Sequence, residues 1–181
     1  MLSVFQKRKL TRYFNIIDQD AKGYFTLRDV DRIAQKMAVR RNVEEGSEFY
    51  TILRDGMRMI WHNARLYGYS QNPNRVTLAD WLIHEENILS REEMREGYVR
   101  KITRDVFDLM DTDAKGYIVE TEYTILMESF GVETGTTAWA FNMLDAQGKG
   151  QISRGEFVKL VEDFHLSEDR SAPGNYLFGA W

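Results

Sequence analysis

Apolar side chains recur at helical spacing in paired blocks along the 181-residue chain. Leu2, Phe5, Leu10, Tyr13, Phe14 and Ile17 share one helix face, and after a polar interruption Val30, Ile33, Met37 and Ala38 do the same. The pattern repeats three times. Met57, Ile60, Trp61, Ala64 and Leu66 precede Leu78, Trp81, Leu82, Ile83 and Ile88; Val99, Ile102, Val106, Phe107 and Met110 precede Tyr123, Leu126, Met127 and Phe130. In the last block, Trp139, Phe141, Met143 and Leu144 precede Phe157, Leu160, Val161 and Phe164. Each unit has a single apolar face and cannot bury it alone, so the units are expected to pair through short antiparallel strands between their loops. The prediction is an all-α chain of four helix-loop-helix units in two pairs, residues 1–90 and 91–181. Ser90 to Gly97, rich in Arg and Glu, reads as the junction or as the solvated start of the fifth helix.

The interruptions are themselves a repeat. Asp18 to Asp29 and Asp111 to Glu122 agree at six of their first seven positions, and Asp145 to Glu156 keeps the opening Asp, the Lys-Gly step and the closing Glu. This spacing puts oxygen ligands at positions 1, 3, 7, 9 and 12 of a calcium loop with a Gly at the sharp turn, position 6. Loop one offers Asp18, Asp20, the Tyr24 carbonyl, Thr26 and Asp29. Loop three offers Asp111, Asp113, the Tyr117 carbonyl and Glu122, with Val119 at position 9 leaving a place for water. Loop four offers Asp145, Gln147, the Gln151 carbonyl, Ser153 and Glu156. The central loop and loop one have three carboxylates each and loop four has two, and the loops rank central first, loop one second and loop four last. The shorter Asp29 at position 12 favours six-coordinate Mg²⁺ or weaker Ca²⁺ in loop one. Position 5 is Lys in all three, Lys22, Lys115 and Lys149, and a Lys has no lone pair to give. Its ammonium must swing out to solvent or compete with the ion. Ile118 and Ile152 at position 8 are natural strand partners, and Phe25 is expected to pair with Val76. That register makes Tyr69 to Asp80 a relic loop with one carboxylate, in which Asn74 stands where Gly takes the turn.

Composition narrows the chemistry. With no cysteine, any metal must be held by oxygen or by the three histidines, which favours hard cations. A net charge of −4 gives no basic field for nucleic acid. No 18-residue apolar run suggests a membrane span, and no apolar run of signal-peptide length follows Lys7, Arg8 and Lys9, so a cytoplasmic monomer is expected. His62, His84 and His165 are scattered, and there is no nucleophile elbow or phosphate-cradling loop, so no enzyme is read. The tail from Ser167 carries Tyr176, Leu177, Phe178 and Trp181 after a Pro-Gly turn and should fold back onto an apolar groove.

These residues resemble the EF-hand superfamily. The four-unit length, the relic second loop and the aromatic tail resemble the sarcoplasmic calcium-binding proteins and their bacterial calerythrin-like relatives. The resemblance implies two EF-hand pairs packed into one compact globule and a cytosolic Ca²⁺ or Ca²⁺/Mg²⁺ buffer. The same layout is similar to coelenterazine-binding proteins and Ca²⁺-triggered photoproteins. The stretch Val161 to Ser167 does not reproduce the photoprotein His, Trp and Tyr set, and the chain ends in Trp181 rather than Pro. Two alternatives to the buffer stand: a sensor that exposes a hydrophobic groove to a protein partner, and a Ca²⁺-regulated carrier of an apolar small ligand.

Overall fold

The structure, a computed structural model, describes Met1 to Ala180 and their side chains except those of Tyr98, Val99 and Ile102. The expected core positions Val99 and Ile102 and the tail residue Trp181 therefore lie outside the described residues. Helix α1 (Val4–Ile17) starts from Ser3, whose hydroxyl accepts from the Gln6 N–H while the Gln6 side chain accepts from the Ser3 N–H, a reciprocal cap that fixes the first turn. Loop one follows, then strand β1 (Tyr24–Phe25) and helix α2 (Leu27–Arg40). The second unit is α3 (Glu48–Tyr67), β2 (Val76–Thr77) and α4 (Leu78–Leu89). A short α5 (Glu92–Met94), a π-turn (Arg95–Val99) and α6 (Arg100–Met110) run on without a break, so the junction residues from Glu92 onward are the wound start of the third unit. Strand β3 (Tyr117–Ile118), α7 (Glu120–Ser129), α8 (Thr134–Leu144), β4 (Ile152–Ser153) and α9 (Arg154–Leu166) complete the repeats, and a 3₁₀ turn (Pro173–Tyr176) begins the tail.

The strand registers are those the spacing predicts. Phe25 lies opposite Val76, and Ile118 opposite Ile152, each pair antiparallel and fully inside the core. A single side chain per loop thus reaches from the polar end of each unit into the apolar interior. Aromatic packing continues inward: Phe14 meets Phe25, Trp81 meets both Phe25 and Tyr13 edge-on, and Phe107 meets Phe157. The Trp81 indole N–H, buried with its ring, donates to the Leu10 carbonyl at 3.1 Å, which joins α4 to α1.

Some apolar positions face outward. Leu66, Ile83, Trp139 and Met143, expected in the core, are exposed because the buried stripe of each helix is set by other residues: Leu53, Met57, Ile60 and Ala64 in α3, Trp81 and Ile88 in α4, Ala140, Phe141 and Leu144 in α8. Continuing the α4 stripe at helical spacing places His84 and Glu85 inside as well. The two halves touch directly. Gln19 in loop one donates to the Ser129 carbonyl at the end of α7, Arg40 pairs with Glu128, and Arg41 donates to the Met110 carbonyl.

The tail folds back as the sequence predicts. Phe178 stacks on Tyr13 at 4.0 Å, Leu177 is buried, and Tyr176 meets Trp139 edge-on. The Tyr123 hydroxyl donates to the Leu177 carbonyl and Arg12 to the Phe178 carbonyl, so the tail bridges α1 of the first half and α7 of the second. Gly174 is required where it stands, since a Cβ there would lie 2.2 Å from the Leu160 carbonyl oxygen.

Candidate metal centres

Loops one, three and four share one backbone path. Gly23, Gly116 and Gly150 at position 6 have φ of 79°, 86° and 71°, the left-handed region that Gly enters without steric cost. Position 4 is also left-handed, at Ala21, Ala114 and Gly148. Two successive left-handed corners curl each loop around its own opening Asp. In loop three the Asp111 carboxylate accepts from the Lys115 and Gly116 N–H groups at 2.9 and 2.8 Å; in loop one Asp18 accepts from those of Lys22 and Gly23 at 3.1 and 2.7 Å. In loop four Asp145 accepts from the Gly150 N–H at 2.6 Å.

The closing acid has two tasks. Position 9 is the N-cap of the outgoing helix, and the acid three residues later turns back to it. One oxygen of Glu122 accepts from the Val119 N–H at 3.0 Å; one of Asp29 accepts from the Thr26 N–H and hydroxyl at 2.8 and 2.7 Å. Glu156 does the same with Ser153. The capping interaction satisfies an amide at the helix start that would otherwise lack a partner. It is also present in loop two, where Asp80 accepts from the Thr77 N–H at 2.9 Å, so the one acid that this loop retains has a structural task.

The other oxygen of the closing acid meets the lysine. The Lys115 ammonium stands 2.6 Å from Glu122, 3.0 Å from Asp113 and 3.7 Å from Asp111, at the point where the loop's carboxylates converge. The Lys22 ammonium is 2.8 Å from Asp29 and 3.4 Å from Asp20, and Lys149 pairs with Glu156. Lys22 and Lys115 therefore turn in among the carboxylates, while Lys149 stays exposed and reaches only the closing acid. In loops one and three the lysine stem also crosses the position-7 ring, with the ammonium 5.6 Å from the Tyr24 ring centre and 5.2 Å from that of Tyr117. Loop one has a second cation that sequence reading missed: Arg32, one turn into α2, pairs with both Asp29 and Asp20. Its signal is the (i, i+3) spacing from Asp29, which sets the guanidinium over the loop mouth.

The ionisation follows from these contacts. Burial alone would pull the Lys115 ammonium down, but hydrogen bonds to Glu122 and Asp113 outweigh it and hold the group above the ordinary lysine range. Lys22 is raised in the same way, burial being outweighed by Asp29 and Asp20. Lys149 and the Ser153 contacts hold the Glu156 carboxyl down to about 2. Lys22 and Lys115 are thus held as positive charges among their carboxylates.

Loop two differs. Its left-handed residue is Tyr69 rather than Asn74, whose N–H instead donates to the Asn72 side chain; Ser70 donates to the Asn72 and Arg75 carbonyls and Arg65 to the Pro73 carbonyl. Hydrogen bonds between side chains and backbone hold this loop, and the left-handed turn expected at Asn74 is made five residues earlier. Gly68 closes the exit of α3 against the Asp80 carbonyl, where a Cβ would lie 2.3 Å away.

Sequence reading treats the histidines as scattered, but the fold gathers two of them. Glu85 lies 3.5 Å from the His84 Nδ1 and 3.9 Å from the His165 Nε2, all three lining or backing the core between α4 and α9. Among the described residues, no group of three or more His, Asp or Glu side chains is arranged to hold a metal ion as it stands.

No protein-family model and no curated protein matches the sequence. Solved structures do. The coelenterazine-binding protein of Renilla muelleri, in its Ca-loaded apo form, superimposes with a TM-score of 0.71 at 22% identity over 99% of this chain and 100% of that one. The chain has the EF-hand fold. A sarcoplasmic calcium-binding protein from amphioxus matches over the whole of both chains at 17% identity with a TM-score of 0.67. A Streptomyces coelicolor calcium-binding protein matches at 17% identity and 0.64 over 97% of this chain and 99% of that one. At these identities the likeness establishes the architecture, and the loops' own residues must carry the chemistry.

Proposed function

We propose that the chain is a calcium-binding protein of the buffer type, holding Ca²⁺ or Mg²⁺ in loops one, three and four. The observation that carries this reading is the threefold recurrence of one loop backbone, with left-handed corners at positions 4 and 6 and an opening and a closing acid, in which two or more carboxylates converge on a cation in loops one and three. The central loop is the strongest candidate. Asp111, Asp113, Glu122 and the Tyr117 carbonyl would supply the oxygens, against one neighbouring lysine. In loop one, Asp18, Asp20, Asp29, Thr26 and the Tyr24 carbonyl face two cations, Lys22 and Arg32, which lowers the net charge available to an ion. Loop four brings only Asp145 and Glu156 as carboxylates, with Gln147, Ser153 and the Gln151 carbonyl. Ligand charge is a main determinant of Ca²⁺ affinity in such loops. The solved relatives named for calcium binding agree with the reading.

A buffer needs no large shape change. The loops have closed backbone paths, the strand pairs are formed, and the tail packs against Tyr13, Tyr123 and Arg12, all of which support the buffer reading. The test is the fluorescence of a hydrophobic dye with and without Ca²⁺: a buffer leaves it nearly unchanged, and a several-fold Ca²⁺-dependent rise would assign the protein to the sensors.

One observation favours a second reading, carriage of an apolar ligand. A cavity of about 80 Å³ lies in the core, bounded among others by Trp81, Glu85, Tyr123, Phe157, His165 and Phe178. It is well below the 300–1,000 Å³ or so of ordinary ligand sites. A ligand of coelenterazine size would have to displace the tail residues Leu177 and Phe178, and this places the carrier reading second.

A further inference from the structure

The position-5 lysines satisfy the loops' carboxylates in a way that ordinary metal ligands do not. A side chain that only failed to coordinate would be expected to lie in solvent, where its ammonium keeps its hydration and its rotamer freedom. Lys115 does the reverse: its side chain is 20% exposed, and its ammonium has three carboxylates within 3.7 Å, those of positions 1, 3 and 12. These are the acids whose mutual repulsion an ion would otherwise have to neutralise. Lys22 and Lys149 likewise pair with the closing acids of their own loops, Asp29 and Glu156. Tyr24 and Tyr117 flank the first two lysines with ring faces that attract an ammonium.

The structure assigns Lys22, Lys115 and Lys149 as tethered counter-ions that hold their loops in the closed form without metal and that a divalent cation must displace. This rests on the metal-binding reading above and deepens it. Two consequences oppose each other. Without metal, the lysine stabilises the loop by separating carboxylates that would repel one another. With metal, it competes, since the ammonium must leave Glu122 or its equivalent before that oxygen can bind an ion. Removing the lysine therefore destabilises the metal-free protein and tightens metal binding at that loop. The effect is graded by how firmly each ammonium is held: largest for Lys115, smaller for Lys22, where Arg32 remains, and smallest for Lys149, which is 39% exposed, pairs with one carboxylate and lacks a flanking Tyr.

The experiment uses the full chain and the variants Lys22→Ala, Lys115→Ala and Lys149→Ala, with Lys101→Ala, which removes a helix-surface pair to Asp105, as the control. Ca²⁺ is titrated calorimetrically, and melting is followed in chelator and in excess Ca²⁺. For Lys115→Ala the expected result is one site tightened about ten- to hundredfold, the loss of a charged hydrogen-bond competitor, together with a lower melting point in chelator and a larger rise on adding Ca²⁺. Lys115→Gln replaces it if the alanine variant does not fold. Unchanged affinity and an unchanged melting point in chelator would overturn the assignment. If neither wild type nor any variant binds Ca²⁺ while the melting point in chelator still falls, the metal reading fails and the counter-ion role stands. Tighter binding with no loss of metal-free stability would overturn the counter-ion role alone.

Discussion

Lys9 shows how much one residue can carry in this fold. Its side chain is completely buried, yet its ammonium donates to the Asp163 and Ser167 carbonyls and to the Asn175 side chain at 3.1, 3.0 and 2.8 Å. All three donors of the ammonium are thereby used, which is what makes burial of the charge tolerable. Burial nevertheless dominates, against the attraction of Glu168 and Asp163, and brings the group from 10.5 down to about 8. The sign follows directly. Between those two values the unfolded chain binds the proton more tightly than the folded one, so stability rises as pH increases from about 8 towards 10. Urea unfolding at pH 7.5 and 9.5 should show this increment in the wild type and lose it in Lys9→Met, which should also be less stable at both pH values because Asn175 and two carbonyls lose their donor. An equal pH response in the two proteins would contradict the assignment. Lys22 and Lys115 are the mirror case: surrounded by carboxylates rather than by neutral acceptors, they are held above the usual range.

At the scale of elements, much of the architecture was legible because it depends on spacing. The loop repeat, the Gly at position 6 and the hydrophobic residue at position 8 fix two left-handed corners and a strand register, and a register follows from which side chain must point inward. What spacing does not determine is where a long side chain goes once the backbone is set. The direction of the Lys115 ammonium depends on the balance between hydration and three nearby carboxylates, and Arg32 reaches loop one from an adjacent helix turn. His84 and Glu85 were legible in principle, since Trp81 and Ile88 define the α4 stripe that includes them; the more apolar Leu82 and Ile83 drew attention to the wrong face. The tail was readable as an apolar segment after a Pro-Gly turn, but not as a bridge between halves. That bridge has its own test. Gly174→Ala puts a Cβ against the Leu160 carbonyl and Asp163, and overpacking of this kind costs about 1–3 kcal/mol. The melting point should fall by several degrees. No change in melting point would show that the tail is dispensable to stability.

The molecule as a whole is two loop pairs whose polar ends carry fixed charge and whose apolar faces share one core. Strands tie loop one to loop two and loop three to loop four; Gln19, Arg40 and Arg41 then tie the first pair to the second. On the proposed reading, an ion would exchange for an ammonium in a loop that is already closed, and the helices would have little reason to rearrange. On the proposed reading, the three lysine-containing loops bind hard divalent cations. The most direct test is calorimetric titration of the wild-type chain with Ca²⁺, repeated in excess Mg²⁺. The account predicts three sites, the tightest from the central loop, with loop one weakened by Mg²⁺ competition because its closing acid is Asp29. Absence of Ca²⁺ binding at millimolar concentration, in the wild type and in the lysine variants alike, would contradict it.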